Sequence, residues 1–184
     1  MRRTRPILPV NLVVGMLAGD VGECLFDAAE NNLEKEFGPI NLASKVFPFN
    51  TTDHYEKEMG SVIKRKFVSF ERLIEPDGLA AIKVATNRME EAFGVAYPSV
   101  SRPINLDPGY IGGGKLVLAT TKDYAHRIYL GEGIYAEVTL RYMGGRFVPL
   151  PWTYPDYKTI ECHAFLGRVR GRYLEKIYKQ VVDA

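Results

Sequence analysis

From residue 10 to residue 17 the chain is short, apolar apart from Asn11, and rich in branched side chains. Such a run, bounded by turn residues, predicts a strand buried on both faces. Gly19 and Asp20 end it. Val21, Leu25, Ala28, Ala29, Leu33 and Phe37 then recur at helical spacing, which predicts a helix over 21–37. Gly38 followed by Pro39 is the order that stops a helix. Residues 42–49 read as a second strand. A polar connection with one helical turn follows over 50–60, then a third strand over 62–73. Leu79, Ile82, Ala85, Met89 and Phe93 mark a second amphipathic helix, capped by Asp77 or Gly78 and ended by Gly94.

A short internal repeat supports this order. Asn32 to Gly38 resembles Asn87 to Gly94, and Pro39-Ile40-Asn41-Leu42 resembles Pro103-Ile104-Asn105-Leu106. Both copies lie between a helix and the next strand. The predicted order is β-α-β twice, the split plan of a ferredoxin-like sheet. The remainder is rich in strands, over 115–121, 127–130 and 134–142. Gly131-Glu132-Gly133 makes one hairpin loop and Gly144-Gly145 a second. Pro149, Pro151 and Pro155 end regular pairing. A last helix is expected over 159–181, with Phe165, Val169, Tyr173, Ile177 and Val181 inward and most of Arg168, Arg170, Arg172, Lys176 and Lys179 in solvent. The expected fold is a single α+β domain over residues 1–184. Two helices pack on one face of an antiparallel sheet with a ferredoxin-like beginning, extended by two hairpins and a C-terminal helix.

Charge narrows the choice of partners. Lys plus Arg total 24 against 22 Asp plus Glu, a net of +2, which weighs against a surface devoted to nucleic acid. Cys24 and Cys162 are too few for a disulfide framework, and the expected compartment is cytoplasmic. Arg2, Arg3 and Arg5 before an apolar run imitate a secretion signal. Pro9 and Asn11 interrupt that run, and Asp20 stands where a cleavage site needs small residues. No stretch approaches the roughly 20 apolar residues that span a bilayer, so no membrane partner is expected. The aromatic residues are unevenly spread: ten of eleven tyrosines follow Ala96, whereas seven of nine phenylalanines precede it. Tyrosine suits a surface that is apolar in body and polar at its tip, so a site is expected within residues 105–157.

No motif in that segment is specific. Gly109-Tyr110-Ile111-Gly112-Gly113-Gly114-Lys115 matches part of a phosphate-binding loop, but Leu116 replaces the Ser or Thr that the loop needs. A strand follows it instead of a helix. A turn opened by Asp107-Pro108-Gly109 is expected there, with a glycine anion nest beside Lys115 as the weaker alternative. Gly131-Glu132-Gly133-Ile134-Tyr135-Ala136 imitates a dinucleotide fingerprint, yet it sits in a hairpin with no helix to hold a pyrophosphate. Asp53-His54, Asp123 with His126, and Cys162-His163 lack diagnostic metal spacing, so no metal ligand is assigned.

The best polar cluster runs from Thr120 to Arg127. Pairing Leu130 with Ile134 sets Tyr129 opposite Tyr135 and Arg127 opposite Glu137 on one sheet face. Ile128, Leu130, Ala136 and Val138 then share the core-facing side, with His126 among them. The plain reading of Arg127 and Glu137 is an ion pair on a solvated sheet. The functional reading is a ligand face. Trp152-Thr153-Tyr154-Pro155-Asp156-Tyr157 is a stiffened aromatic loop, a lid over the core or a wall of that pocket.

At these residues the chain resembles a bacterial and archaeal family catalogued as domain of unknown function 4416. The resemblance rests on Asn105-Leu106-Asp107-Pro108-Gly109-Tyr110, on Lys115 to Asp123, on His126-Arg127-Ile128-Tyr129-Leu130, on Gly133 to Leu140 and on Trp152 to Tyr157. It extends over nearly the whole chain and implies a stand-alone cytosolic protein. It implies no activity, cofactor or catalytic residue.

The leading functional expectation is a small-molecule site for an anionic or phosphorylated ligand. Asp107, Lys122, Arg127, Tyr129, Tyr135, Tyr154, Asp156 and Tyr157 are its candidate binding residues. If the site is catalytic, Glu137 or Asp123 is the base and Arg127 with Lys122 clamps the anion. The cofactor is left open. The alternative is a non-catalytic RNA- or protein-binding module using the tyrosine face and the basic last helix. A third reading makes the sheet face a subunit interface.

Overall fold

The structure is a computed structural model that describes residues 7–19, 24–49, 56–60 and 62–182. Side chains at 56, 57 and 180–182 lie outside that description, as do the predicted start of the first helix at Val21, Asp53-His54 and the inward placement of Val181. Among the described residues the fold is α+β, with a nine-stranded antiparallel sheet and a C-terminal helix.

The apolar run becomes β1 (Val10–Ala18), in which every residue is buried. It is followed by α1 (Cys24–Phe37), β2 (Ile40–Ala43), β3 (Phe47–Pro48), a single helical turn α2 (Glu56–Met59) and β4 (Lys64–Ile74). Helix α3 (Leu79–Ala96) leads into β5 (Ile104–Gly112) and β6 (Lys115–Thr120). Strands β7 (Ile128–Gly131), β8 (Ile134–Met143) and β9 (Arg146–Pro149) precede α4 (Ile160–Val182). The sheet order is β2-β4-β1-β5-β6-β8-β7, with β3 beside β4 and β9 beside β8.

β1 is apolar apart from Asn11 because helices cover both its faces. Leu12, Val14, Met16 and Ala18 pack with Leu25, Phe26, Ala29 and Leu33 of α1 and with Phe93 of α3. On the other face Val13 joins Phe67, Ile111, Leu116 and Leu140, closed by Cys162, Phe165, Leu166 and Val169 of α4. Where that face meets Leu17, a cavity opens instead.

Several boundaries differ from expectation for local reasons. Gly38 does end α1, with a φ of 91° and its N–H 2.9 Å from the Glu34 carbonyl. Gly94 does not end α3, which continues to Ala96. The strand expected over 42–49 is split between β2 and β3. The Ser44 N–H donates to the Phe67 carbonyl, and the Phe67 N–H donates to Ser44 Oγ. The turn expected at Asp107-Pro108-Gly109 is the interior of β5, paired with Gly15, Val14 and Val13. Gly109 serves close strand approach: a Cβ there would meet the Val117 carbonyl oxygen at 2.3 Å. Gly113 and Gly114 make the reversal instead.

At the far edge the expected faces are partly corrected. Tyr129 does pair with Tyr135, but Leu130 is bulged out and Gly131 pairs with Ile134. Ile128 and Leu130, expected in the core, are 72% and 42% exposed. β7 is the terminal strand, so few elements are near enough to cover it. Conversely Glu137, read from sequence as part of an ion pair on a solvated sheet, is buried together with Thr139, because β8 is covered by the lid loop on that face.

Candidate functional site

The cavity lies on the sheet face away from α1 and α3, beside α4, and has a volume of about 630 Å³. That is within the range of small-molecule sites, roughly 300–1,000 Å³. Strand pairing sets its floor. Leu17 lies between Arg65 and Asn105, and Gly15 lies between Phe67 and Asp107. Leu118 faces Glu137 further along. The loop over 154–157 forms the opposite wall.

Arg65 dominates the floor. Its side chain is only 1% exposed, and it crosses the space that Gly15 leaves free. A Cβ on Gly15 would stand 2.8 Å from both Arg65 Nη2 and the Tyr157 hydroxyl. The guanidinium carbon sits 4.6 Å from the Phe67 ring centroid and 5.0 Å from that of Tyr157. Nη2 is 2.8 Å from Asp156 Oδ2 and Nη1 is 3.6 Å from Asp107 Oδ2. These are charge contacts without hydrogen-bond alignment. Among the described residues, Nε, Nη1, Nη2 and the Tyr157 hydroxyl have no aligned hydrogen-bond partner.

The surroundings hold Arg65 charged. Burial is the largest single influence and pulls its pKa down. Tyr157, Asp156 and Asp107 together outweigh it and leave the pKa above the ordinary value. Burial raises the Asp156 carboxyl, Arg65 opposes that, and Asp107 adds to it. Burial likewise holds the Tyr157 hydroxyl well above its usual range. Under the floor, Lys83 donates to the Leu106 carbonyl at 2.8 Å and lies 3.7 Å from Glu90 and 3.8 Å from Asp107. Arg102 pairs with Glu90 at 2.7 Å and also donates to Asn105 Oδ1. Asn105 in turn donates to Asp107 Oδ2 at 2.6 Å.

The other end is built around Glu137. Its Oε2 accepts from Arg127 Nε at 2.9 Å and lies 3.2 Å from His126 Nε2, while Oε1 accepts from Thr139 at 3.1 Å. Arg127 also donates to the Lys122 carbonyl and to the Tyr154 hydroxyl. Burial again acts first to lower the Arg127 pKa, and Glu137 and Tyr154 outweigh it. His126 stacks on Trp152 with centroids 4.7 Å apart, and Trp152 Nε1 donates to the Val138 carbonyl at 2.9 Å. Thr153 Oγ1 donates to the Thr139 carbonyl, and His163 Nε2 is 2.9 Å from the Tyr157 carbonyl. The lid is thereby tied to β8 and α4.

Of the residues singled out from sequence, Asp107, Lys122, Arg127, Glu137, Tyr154, Asp156 and Tyr157 line the cavity. Asp123 is exposed and does not line it, and Tyr129 and Tyr135 pack on each other at the edge, 5.2 Å between centroids. Sequence reasoning missed Arg65, Arg102 and Asn105. Within Lys64-Arg65-Lys66 the strand alternation alone separates Arg65 from its neighbours, and a charge run of this kind reads as solvated.

Among the described residues no group of three or more His, Cys, Asp or Glu is arranged to hold a metal ion. No described helix is long and apolar enough to cross a membrane. No similarity was found to a curated protein or to a solved structure. The model of the family described as "Domain of unknown function (DUF4416)" matches residues 8–173, the stretch that carries the sheet, the cavity and most of α4, and the chain belongs to that family.

Proposed function

We propose that the cavity binds a small molecule carrying a carboxylate or phosphate. The observation that carries this reading is the Arg65 guanidinium: buried, held charged, and with three nitrogens lacking aligned acceptors in the wall of a cavity. Buried polar groups are almost always hydrogen-bonded, so unmet donors beside a cavity favour an acceptor supplied from outside. Lys122 stands at the exposed rim as a second cationic contact. Arg127 positions the lid through Tyr154, and Glu137 holds Arg127. Three donors surround the Glu137 oxygens, which suits an orienting acceptor better than a free base.

The sheet order β2-β4-β1-β5, with α1 following β1 and α3 following β4, supports a ferredoxin-like beginning to the domain. In that plan the helices take one face and leave the other open for a ligand. The basic residues of α4 favour this reading over a nucleic-acid surface. Arg170, Arg172 and Lys176 are spent on the carbonyls of Gly113, Asn41 and Glu71.

Thermal unfolding in the presence of inorganic phosphate, a sugar phosphate, a nucleoside monophosphate and a series of carboxylates tests the proposal. A ligand at 100 times its Kd adds about 2.7 kcal/mol, which for this size of domain is a rise of roughly 5–10 °C in Tm. The rise is expected to shrink in Arg65→Lys and to weaken less in Lys122→Ala. A flat response across the whole panel overturns the reading.

A further inference from the structure

The immediate surroundings of Arg65 restrict what kind of anion fits. Its side chain is 1% exposed, so a head group that reaches it sheds its water. The cost of taking an ion out of water grows with the square of its charge. The same head group approaches Asp156, 2.8 Å from Nη2, and Asp107, 3.6 Å from Nη1. Each negative charge on the ligand is repelled by both acids at short range. A doubly charged phosphate meets both penalties in larger measure than a carboxylate. The donors point the same way. Nε, Nη1 and Nη2 of Arg65 and the Tyr157 hydroxyl are the unmet donors of the cavity among the described residues. One guanidinium edge and a hydroxyl match the two oxygens of a carboxylate. A phosphate presents more oxygens, which the backbone N–H groups of a helix N-terminus or a nest commonly meet. Among the described residues, none that lines the cavity belongs to a helix from α1 to α4. Beside Arg65 the strands spend their backbone on pairing: Leu17 lies between Arg65 and Asn105, and Arg65 between Leu17 and Phe47. At the rim, the Lys122 N–H already donates to Thr120 Oγ1.

We infer that the ligand is a monocarboxylic acid with an apolar body rather than a phosphorylated compound. This rests on the anion-binding reading above and narrows it. The carboxylate accepts from the unmet Arg65 donors and from the Tyr157 hydroxyl. The body follows from what adjoins Arg65. Leu17 is its strand partner, and Leu17, Phe49 and Leu118 are buried side chains that line the same cavity, with Pro155 of the lid. At about 630 Å³ the cavity is far larger than a carboxylate group, so most of its space takes the rest of the ligand. Apolar groups of the ligand gain by leaving water against these side chains.

Matched ligands separate this inference from the broader one. Hexanoate, hexyl phosphate, adipate, acetate, hexanamide and inorganic phosphate are compared by calorimetric titration on the full chain. Hexanoate is expected to bind at least about tenfold more tightly than any of the others, since each buried methylene is worth a factor of roughly four. Tyr157→Phe, which keeps the ring and removes only the hydroxyl, should weaken hexanoate about threefold or more. Hexyl phosphate or inorganic phosphate binding as tightly as hexanoate overturns the carboxylate and leaves the anion site standing. Adipate or acetate binding as tightly overturns the apolar body and leaves the anion site standing. Hexanoate binding that Tyr157→Phe does not alter overturns the placement of its carboxylate on Arg65 and Tyr157. Hexanamide binding as tightly as hexanoate, or no binding by any compound, overturns both readings.

Discussion

Beneath Arg65, Gly15 admits only a hydrogen as side chain, since Arg65 and Tyr157 occupy the place of a Cβ. Gly15→Ala is expected to displace the guanidinium, destabilise the fold by about 1–3 kcal/mol, and reduce the ligand-induced rise in Tm. Urea unfolding with and without ligand measures both effects, and an unaltered response would show that Arg65 has room to move. The residue scale is also where the sequence was hardest to read. Asp107, Asp156 and Tyr157 were legible as chemistry-bearing residues in turn-like or aromatic segments. Arg65 was not, because its neighbours Lys64 and Lys66 have the same character and differ only in which way the strand turns them. Glu137 was legible as the partner of Arg127, but its burial was not, since burial depends on a lid that arrives from Trp152 onward.

Among the elements, the helices were read best, because a 3.6-residue period is a local property that packing reinforces. α1 buries the positions its stripe predicts, Leu25, Ala29 and Leu33 among them. Glycine was the unreliable signal. Gly94 lies inside α3, and nothing stands within 4 Å of where its Cβ would be. Gly94→Ala is therefore expected to raise stability by about 0.5–1 kcal/mol, read as a higher urea midpoint with unchanged slope. A loss of stability would mean that the site demands a conformation alanine resists. In β5, Pro108 and Gly109 spelled a turn but serve a central strand. Their neighbours on β1 and β6 decide that, and no local rule sees those neighbours. The basic face of α4 was legible as a stripe, whereas its use as a set of anchors, with Arg170 3.4 Å from the Tyr142 ring centroid, depends on β8 lying below it.

Across the whole molecule, buried ionisable groups couple stability to pH. Burial raises the Cys162 thiol and the Tyr157 hydroxyl. In the unfolded chain these groups ionise near their ordinary values, about 8.5 and 10. Above about pH 9 the unfolded chain therefore holds fewer protons than the folded one, and stability falls as pH rises. Urea midpoints measured from pH 8 to 11 should decline, and Tyr157→Phe should flatten the upper part of the curve. A flat profile in the unaltered protein would contradict the burial of both groups.

The sequence by itself determined the α+β class, the family, the nature of the strands and helices, and the stretch from Asn105 to Tyr157 in which most of the cavity wall lies. These follow from periodicity and from residue types that act locally. Only the tertiary structure decided that β4 lies between β2 and β1, and so brings Arg65 across Gly15 to Asp107 and Asp156. Arg65 is 42 residues from Asp107 and 91 from Asp156 in the chain. Their meeting is set by strand pairing and by a glycine-sized gap, and both exist only once the sheet has formed.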